Sequence, residues 1–297
     1  MSAQLIDGKE VAKNIRKNLK ARIGALKAKG IIPGLAAVLL GDDPASATYV
    51  RSKERACEKL GLYSEVVNKS DTLQQEELVE IVKSLNNNDK IHGILVQSPL
   101  PKHIDELSVT LTISPDKDVD GFHPHNVGMM LLGRPGLLPC TPYGIIKLLA
   151  YYQIDPKGKN VVVVGRSNIV GKPIAAMLLQ KSEMANATVT IAHSRTKNLG
   201  EVTQRADILI AAIGRPKTIT ADMIKEEAVI IDVGVNRVED STTKKGYRLT
   251  GDVDFAPCSE KASFITPVPG GVGPMTIAML MSNTVTAAEN LLAKKKL

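Results

Sequence analysis

An α/β protein of two domains, each with a mainly parallel sheet, is what this 297-residue sequence predicts. Two observations carry that expectation. Short apolar runs of strand length alternate with amphipathic helical stretches along the whole chain, the pattern of strands joined by crossover helices. The runs also fall into two groups, separated by a stretch from Pro99 to Pro142 rich in Pro, Gly and His.

The first group comprises Gly34 to Leu40, Tyr63 to Val67 and Ile91 to Val96. The second comprises Asn160 to Val164, Thr188 to Ala192, Asp207 to Ala212 and Val229 to Val233. Long irregular segments inside compact domains are usually functional, so the stretch between the groups reads as active-site loops plus the domain junction. A final amphipathic segment, Met275 to Leu292, follows a Pro-Gly cluster and is expected to pack back on the first domain. The division expected is 1–141 with 275–297 as the catalytic domain and 142–274 as the nucleotide-binding domain.

Composition excludes several classes. A hydrophobic content of 43% with 23% charged residues is that of a globular chain, not of a disordered or fibrous one. The amino terminus meets charge at once and lacks the apolar core of a secretory signal, and the longest apolar runs are strand-sized. Cys57, Cys140 and Cys258 have no paired spacing, so neither a disulfide framework nor a metal site is expected. A reducing cytoplasm and no membrane fit best. The net charge of +7 includes Lys294-Lys295-Lys296, read as a frayed solvated end. The remaining cations are dispersed, and three Phe, six Tyr and no Trp leave little for base stacking, so no nucleic-acid partner is expected.

In the second half, Val161 to Val164 runs into Gly165-Arg166-Ser167-Asn168-Ile169-Val170-Gly171-Lys172-Pro173, followed by an apolar helix pattern. A buried strand, a Gly-bounded turn and a Pro in the first helical turn aim backbone N–H groups at a phosphate. The alternative is a tight turn with no ligand. The next strand ends in His193-Ser194-Arg195-Thr196 without the acid that accepts hydrogen bonds from an NAD ribose. A cation and hydroxyls there suit a 2′-phosphate, with Arg166 as a second cation, so NADP is favoured over NAD and the domain is expected to be Rossmann-like. Taken alone, Arg195 reads as a solvated surface charge. Gly214 and Gly234 close two further strands, where a flat ligand can lie against the backbone.

In the first half, Lys53 stands out. On a helix over Ala45 to Leu60, a step of about 100° per residue places Lys53 in one arc with Tyr49, Val50, Ala56, Cys57 and Leu60. Arg51, Glu54, Arg55, Glu58 and Lys59 fall elsewhere. A lysine on the buried stripe is either a snorkelling stem or a desolvated amine with a depressed pKa. Tyr49, one turn earlier, is placed to share a ligand with it. Gln97 follows the third strand and puts an amide at the sheet's carboxyl edge. Asp116 to Gly121 is a dense loop of charge that also reads as a solvated turn. Pro267 to Pro274 is so constrained that a ligand-contacting backbone is favoured over an idle loop.

Through Tyr49-Val-Arg-Ser-Lys53, Val96-Gln97, Asp116-Lys-Asp-Val-Asp-Gly121, the Gly165 to Pro173 turn and Ile265 to Met275, the sequence resembles the bifunctional methylenetetrahydrofolate dehydrogenase/cyclohydrolase family over essentially its whole length. The resemblance implies oxidation of 5,10-methylenetetrahydrofolate with NADP and hydrolysis of the methenyl product to 10-formyltetrahydrofolate, in one-carbon metabolism and purine biosynthesis. It implies a catalytic cluster of Lys53, Tyr49 and Gln97 and substrate contacts at Asp120, Val96, Ser98, Pro269, Gly270, Gly271, Val272 and Gly273. NADP contacts are implied at Gly165, Arg166, Ser167, Ser194, Arg195 and Val235, and a homodimer through the nucleotide domain. Ser98 departs from the family, which usually has an apolar residue after the glutamine. Two other readings remain at this stage: an NADP-dependent oxidoreductase of another small substrate, and a non-catalytic nucleotide-binding protein.

Overall fold

The structure, a computed structural model, describes residues 2–134, 136–243 and 246–294, the side chain of Ala45 excepted. The chain forms β1 (Gln4–Leu5), α1 (Gly8–Lys27), β2 (Gly34–Leu40), α2 (Pro44–Leu60), β3 (Tyr63–Lys69), α3 (Gln75–Asn87), β4 (Gly93–Val96), α4 (Glu106–Thr112) and α5 (Pro124–Leu131). There follow α6 (Cys140–Tyr151), β5 (Asn160–Val164), α7 (Gly171–Leu178), β6 (Thr188–Ala192), α8 (Leu199–Thr203), β7 (Ile208–Ala211) and β8 (Val229–Asp232). The last elements are β9 (Asn236–Glu239), β10 (Tyr247–Thr250), α9 (Phe255–Lys261), β11 (Phe264–Ile265) and α10 (Val272–Lys294).

Two compact units result: residues 14–140 with 277–297, and residues 1–13 with 141–276. The expectation placed residues 1–13 in the first domain. They belong instead with the nucleotide unit, because β1 pairs in parallel with β11 and the Asp7 N–H donates to the Tyr152 hydroxyl at 2.8 Å.

The first unit holds a parallel sheet of order β3-β2-β4. Every residue of β2 is buried, as a central strand covered on both faces must be. Ala36, Val38 and Ile94 pack with Leu78, Val82 and Leu85 of α3 and Val109 of α4. Each fully buried aliphatic side chain of this kind contributes about 1.5–3 kcal/mol. α2 starts where Asp43 accepts from the Ser46 N–H at 2.7 Å and Pro44 presets the first turn; it stops at Gly61, whose positive φ lets its N–H cap the Cys57 and Glu58 carbonyls. α10 is expected to be amphipathic, yet between Ala278 and Ala288 it is buried on most of its faces; a helix apolar nearly all round belongs in a core. Its end is anchored, not frayed: the Lys294 Nζ donates to both Asp116 carboxylate oxygens at 2.7 and 2.8 Å. Lys295 and Lys296 lie outside the described residues.

The second unit holds a six-stranded sheet of order β1-β11-β8-β7-β5-β6, parallel throughout. β5 has β6 on one side and β7 on the other, so successive crossovers run in opposite directions from it. That reversal defines the crevice at which open α/β sheets bind ligands. Val162, Leu209, Ile230 and Ile265 form the core between the sheet and its helices. A hairpin, β9 with β10, was not anticipated.

Candidate active site

α2 presents Val50, Cys57 and Leu60 to the core and its charges to solvent, so the face expected from helical spacing is the face buried. Lys53 lies on that face, partly buried, and its Nζ donates to Gln97 Oε1 at 2.9 Å. Gln97 is fixed from behind. Its backbone N–H donates to the Val38 carbonyl, which extends the sheet ladder one residue past β4, and its Nε2 donates to the Ser98 carbonyl at 2.7 Å. With the amide nitrogen so engaged, the oxygen is the end left for the lysine.

Burial pulls the Lys53 pKa below the ordinary lysine range, against opposing charge interactions with Asp120 and then Cys140. The Asp120 carboxyl is pushed up to about 6, first by burial, with Lys53 opposing and Asp118 adding to the rise. Desolvation therefore outweighs the attraction between amine and carboxylate on both partners, lowering the one and raising the other. The Cys140 thiol is raised well above its ordinary value, chiefly by burial, and stays protonated.

The loop from Asp116 to Gly121 is not a solvated turn. Lys117 is buried and its Nζ donates to the carbonyls of Leu85, Asn86 and Asn88, closing the end of α3. Asp118, 2% exposed, accepts from the backbone N–H groups of Gly121, Phe122 and His123 and from Asn126 Nδ2. Asn283 of α10 donates to the Val119 carbonyl at 2.8 Å and to the Leu138 carbonyl at 2.8 Å, and contacts Cys140 Sγ. Asp120 is thus held at the end of a loop pinned on both sides. Cys140, Asp118 and Asn283 were not singled out from sequence as site residues, because only the folded chain brings Cys140 beside Lys53 and sets Asp118 and Asn283 around the turn that carries Asp120.

Tyr49 departs from expectation: it is 52% exposed, so it stands at the rim of the helix's buried face, not within it. Ser98 is exposed and its hydroxyl donates to Glu106. Val96 is half-buried at the end of β4. A cavity of about 590 Å³ opens in the same unit, but beside the amino ends of the strands, lined by Tyr63, His92, Lys117 and Leu291. It contains none of the Lys53 cluster.

In the other unit, the expected nucleotide residues sit at strand carboxyl ends. Gly165 ends β5 with φ 138°, and a Cβ there would run into the Ala212 carbonyl, so only glycine fits. The Ser167 hydroxyl accepts from the N–H groups of Val170 and Gly171 and shapes the entry to α7. Arg166, Ser194, Arg195 and Val235 are exposed after β5, β6 and β8. In the Pro269 to Gly273 loop, Gly270, Gly271 and Val272 are buried; Pro269 and Gly273 are exposed.

A doubly wound nucleotide-binding unit, joined in one chain to an α/β unit that carries a desolvated lysine on an oriented amide, defines a dinucleotide-dependent enzyme class. Comparison with known proteins narrows it. The tetrahydrofolate dehydrogenase/cyclohydrolase catalytic domain matches residues 6–120, and the NAD(P)-binding domain of the same family matches residues 139–292. The chain belongs to that family. A bifunctional protein FolD from Chlorobium chlorochromatii (strain CaD3) is 55% identical over 97% of this chain and 98% of its own length. The crystal structure of the bifunctional FolD methylenetetrahydrofolate dehydrogenase/cyclohydrolase from Campylobacter jejuni superposes with a TM-score of 0.92 at 49% identity, covering 98% of this chain and 100% of that one. The Trypanosoma brucei methylenetetrahydrofolate dehydrogenase-cyclohydrolase, complexed with NADP cofactor and inhibitor, gives 0.93 at 38%, covering 98% and 99%.

Proposed function

We propose that this protein oxidises 5,10-methylenetetrahydrofolate to the methenyl form with NADP and hydrolyses that product to 10-formyltetrahydrofolate. The observation that carries this reading is the hydrogen bond from partly buried Lys53 to the oriented Gln97 amide. Hydrolysis of the methenyl cation needs a base for the attacking water and an acid for the ring nitrogen that leaves. Lys53 as the free amine takes the water proton; its ammonium form then delivers a proton as the ring opens, with Gln97 fixing its direction. Asp120 accepts hydrogen bonds from the pterin, with Val96 and Ser98 beside Gln97. Tyr49 covers the ring from the exposed rim, and Pro269 and Gly273 are the exposed members of the loop offered to folate.

The nucleotide unit fits NADP: no acid follows β6, Arg195 and Ser194 stand exposed there, and Gly165 lets backbone approach a phosphate. Gly165, Arg166, Ser167, Ser194, Arg195 and Val235 would hold it. When bound, it supplies the hydride acceptor for the methylene carbon. The reading extends to a cytoplasmic role in one-carbon metabolism feeding purine biosynthesis, and to a homodimer through the nucleotide unit, whose terminal strand β6 exposes Thr188, Thr190 and Ile191. Among the described residues no helix is long and apolar enough to cross a membrane.

The test is absorbance of the protein with methylenetetrahydrofolate and NADP, and separately with methenyltetrahydrofolate. Wild type should form NADPH and clear the methenyl compound, and Lys53→Ala should lose clearance by about 10²–10⁴-fold, the usual worth of general acid–base help. Normal clearance in the variant would remove Lys53 from the chemistry; neither activity in wild type would remove the folate assignment.

A further inference from the structure

The loops after β7 and β8 in the nucleotide unit are not independent. Asp252, fully buried just after β10, carries a carboxylate with every acceptor direction in use. Its Oδ2 accepts from the N–H groups of Ile213 at 2.6 Å and Gly214 at 2.9 Å, and its Oδ1 accepts from the Arg215 N–H at 3.0 Å and from Asn236 Nδ2 at 2.9 Å. Three successive backbone N–H groups of the loop after β7 thus converge on one acid, and the same acid reaches the residue after Val235 in the loop after β8. Gly234 makes this possible, since a Cβ there would overlap the Asp252 carboxylate. The arrangement is braced from below: Asp232, at the end of β8, accepts from the N–H groups of Gly234, Asp252 and Val253 at 2.9–3.0 Å.

The sheet ladders already hold β7 against β8, so the strands need no such clamp. A buried carboxylate costs several kcal/mol in desolvation unless it is fully bonded. Three bonds of this one fall on the loop after β7, where Gly214 and Arg215 are exposed, and the fourth on Asn236, which opens β9 directly after exposed Val235. β6, which ends in Ser194 and Arg195, lies on the other side of β5. A dinucleotide whose pyrophosphate sits at the end of β5, with its phosphorylated ribose toward β6, therefore extends its second nucleoside over β7 and β8.

We infer that Asp252 is a positioning residue for the nicotinamide half of the dinucleotide, acting through the two loops it ties together without touching the ligand. The inference rests on the nucleotide-binding role of this unit and not on the identity of the second substrate.

Two variants test it, Asp252→Asn, which turns a donor toward converging N–H groups, and Asn236→Ala, which removes only the link to the β8 loop. Calorimetric titration with NADP and the KM for NADP should both weaken, by about tenfold or more in Asp252→Asn, as expected when buried donors lose a charged acceptor, and severalfold in Asn236→Ala. Hydrolysis of methenyltetrahydrofolate, which consumes no nucleotide, reports the correctly folded fraction of each variant. NADP affinity within about twofold of wild type in both would overturn the inference, as would a parallel loss of hydrolysis and NADP binding in both. If Asp252→Asn does not fold, Asn236→Ala decides alone. Failure of wild type to act on folates, with NADP binding still weakened in the variants, would sink the folate reading and leave this one standing.

Discussion

Asp118 and Asp120 are the same residue type two positions apart and do opposite work. Asp118 is a structural acceptor, satisfied by three backbone N–H groups and the Asn126 amide. Asp120 is a carboxyl raised to about 6 by burial, beside an amine lowered by burial. If Asp120 must be ionised to accept from the pterin, substrate capture is intact above that value and weakens as pH falls through it. The KM for methenyltetrahydrofolate should therefore climb from about pH 8 toward about pH 5, an interval that brackets the shifted value, and Asp120→Asn should show no inflection. A flat KM in the wild type would free Asp120 from the assignment. Sequence separated Lys53 from its charged neighbours because helical spacing encodes which face is buried. Periodicity did not separate Asp118 from Asp120, since a loop has no period and the path of its backbone decides which carboxylate turns inward; only the family resemblance picked out Asp120.

Elements were legible to the extent that they repeat. β2, β5 and β6 were read with their observed ends, and α2 within a residue, because apolar runs and the Asp-Pro and Gly caps mark them. β1 and β11 are two residues each and leave no period to detect; they exist because each pairs with a neighbour that is distant in sequence. The loop after α4 escaped for another reason: Lys117 reads as a surface charge until the end of α3 supplies three carbonyls for its ammonium. That loop is a rigid element built from polar groups. Asp118→Ala should leave buried N–H groups without an acceptor and cost about 3 kcal/mol or more, with each orphaned donor worth about 1–3 kcal/mol. Thermal denaturation should show the loss, and hydrolysis should fall with it because Asp120 is carried by the same turn. An unchanged melting temperature would mean that water replaces the carboxylate and that the turn does not depend on Asp118.

At the scale of the molecule, the Lys53 cluster and the residues proposed to hold NADP are carried by different units, and the Pro269 to Gly273 loop proposed for folate belongs to the nucleotide unit. Lys53, Gln97, Asp120, Cys140 and Asn283 all belong to the unit of residues 14–140 and 277–297, while Gly165, Ser194, Arg195, Val235 and Asp252 belong to the other. Among the described residues, one apolar cluster gathers on β2 and β4 and another on β5, β7 and β8. A ligand that binds only the folded form stabilises it by mass action, about 2.7 kcal/mol at a hundredfold excess over Kd. Since the residues proposed to hold NADP include none of the lysine cluster, Lys53→Ala should retain the whole NADP-induced rise in melting temperature even though hydrolysis is lost. A wild-type shift that shrinks in Lys53→Ala would show that the amine on α2 is energetically linked to the nucleotide loops, and NADP binding and hydrolysis would then have to be treated as coupled properties of one chain.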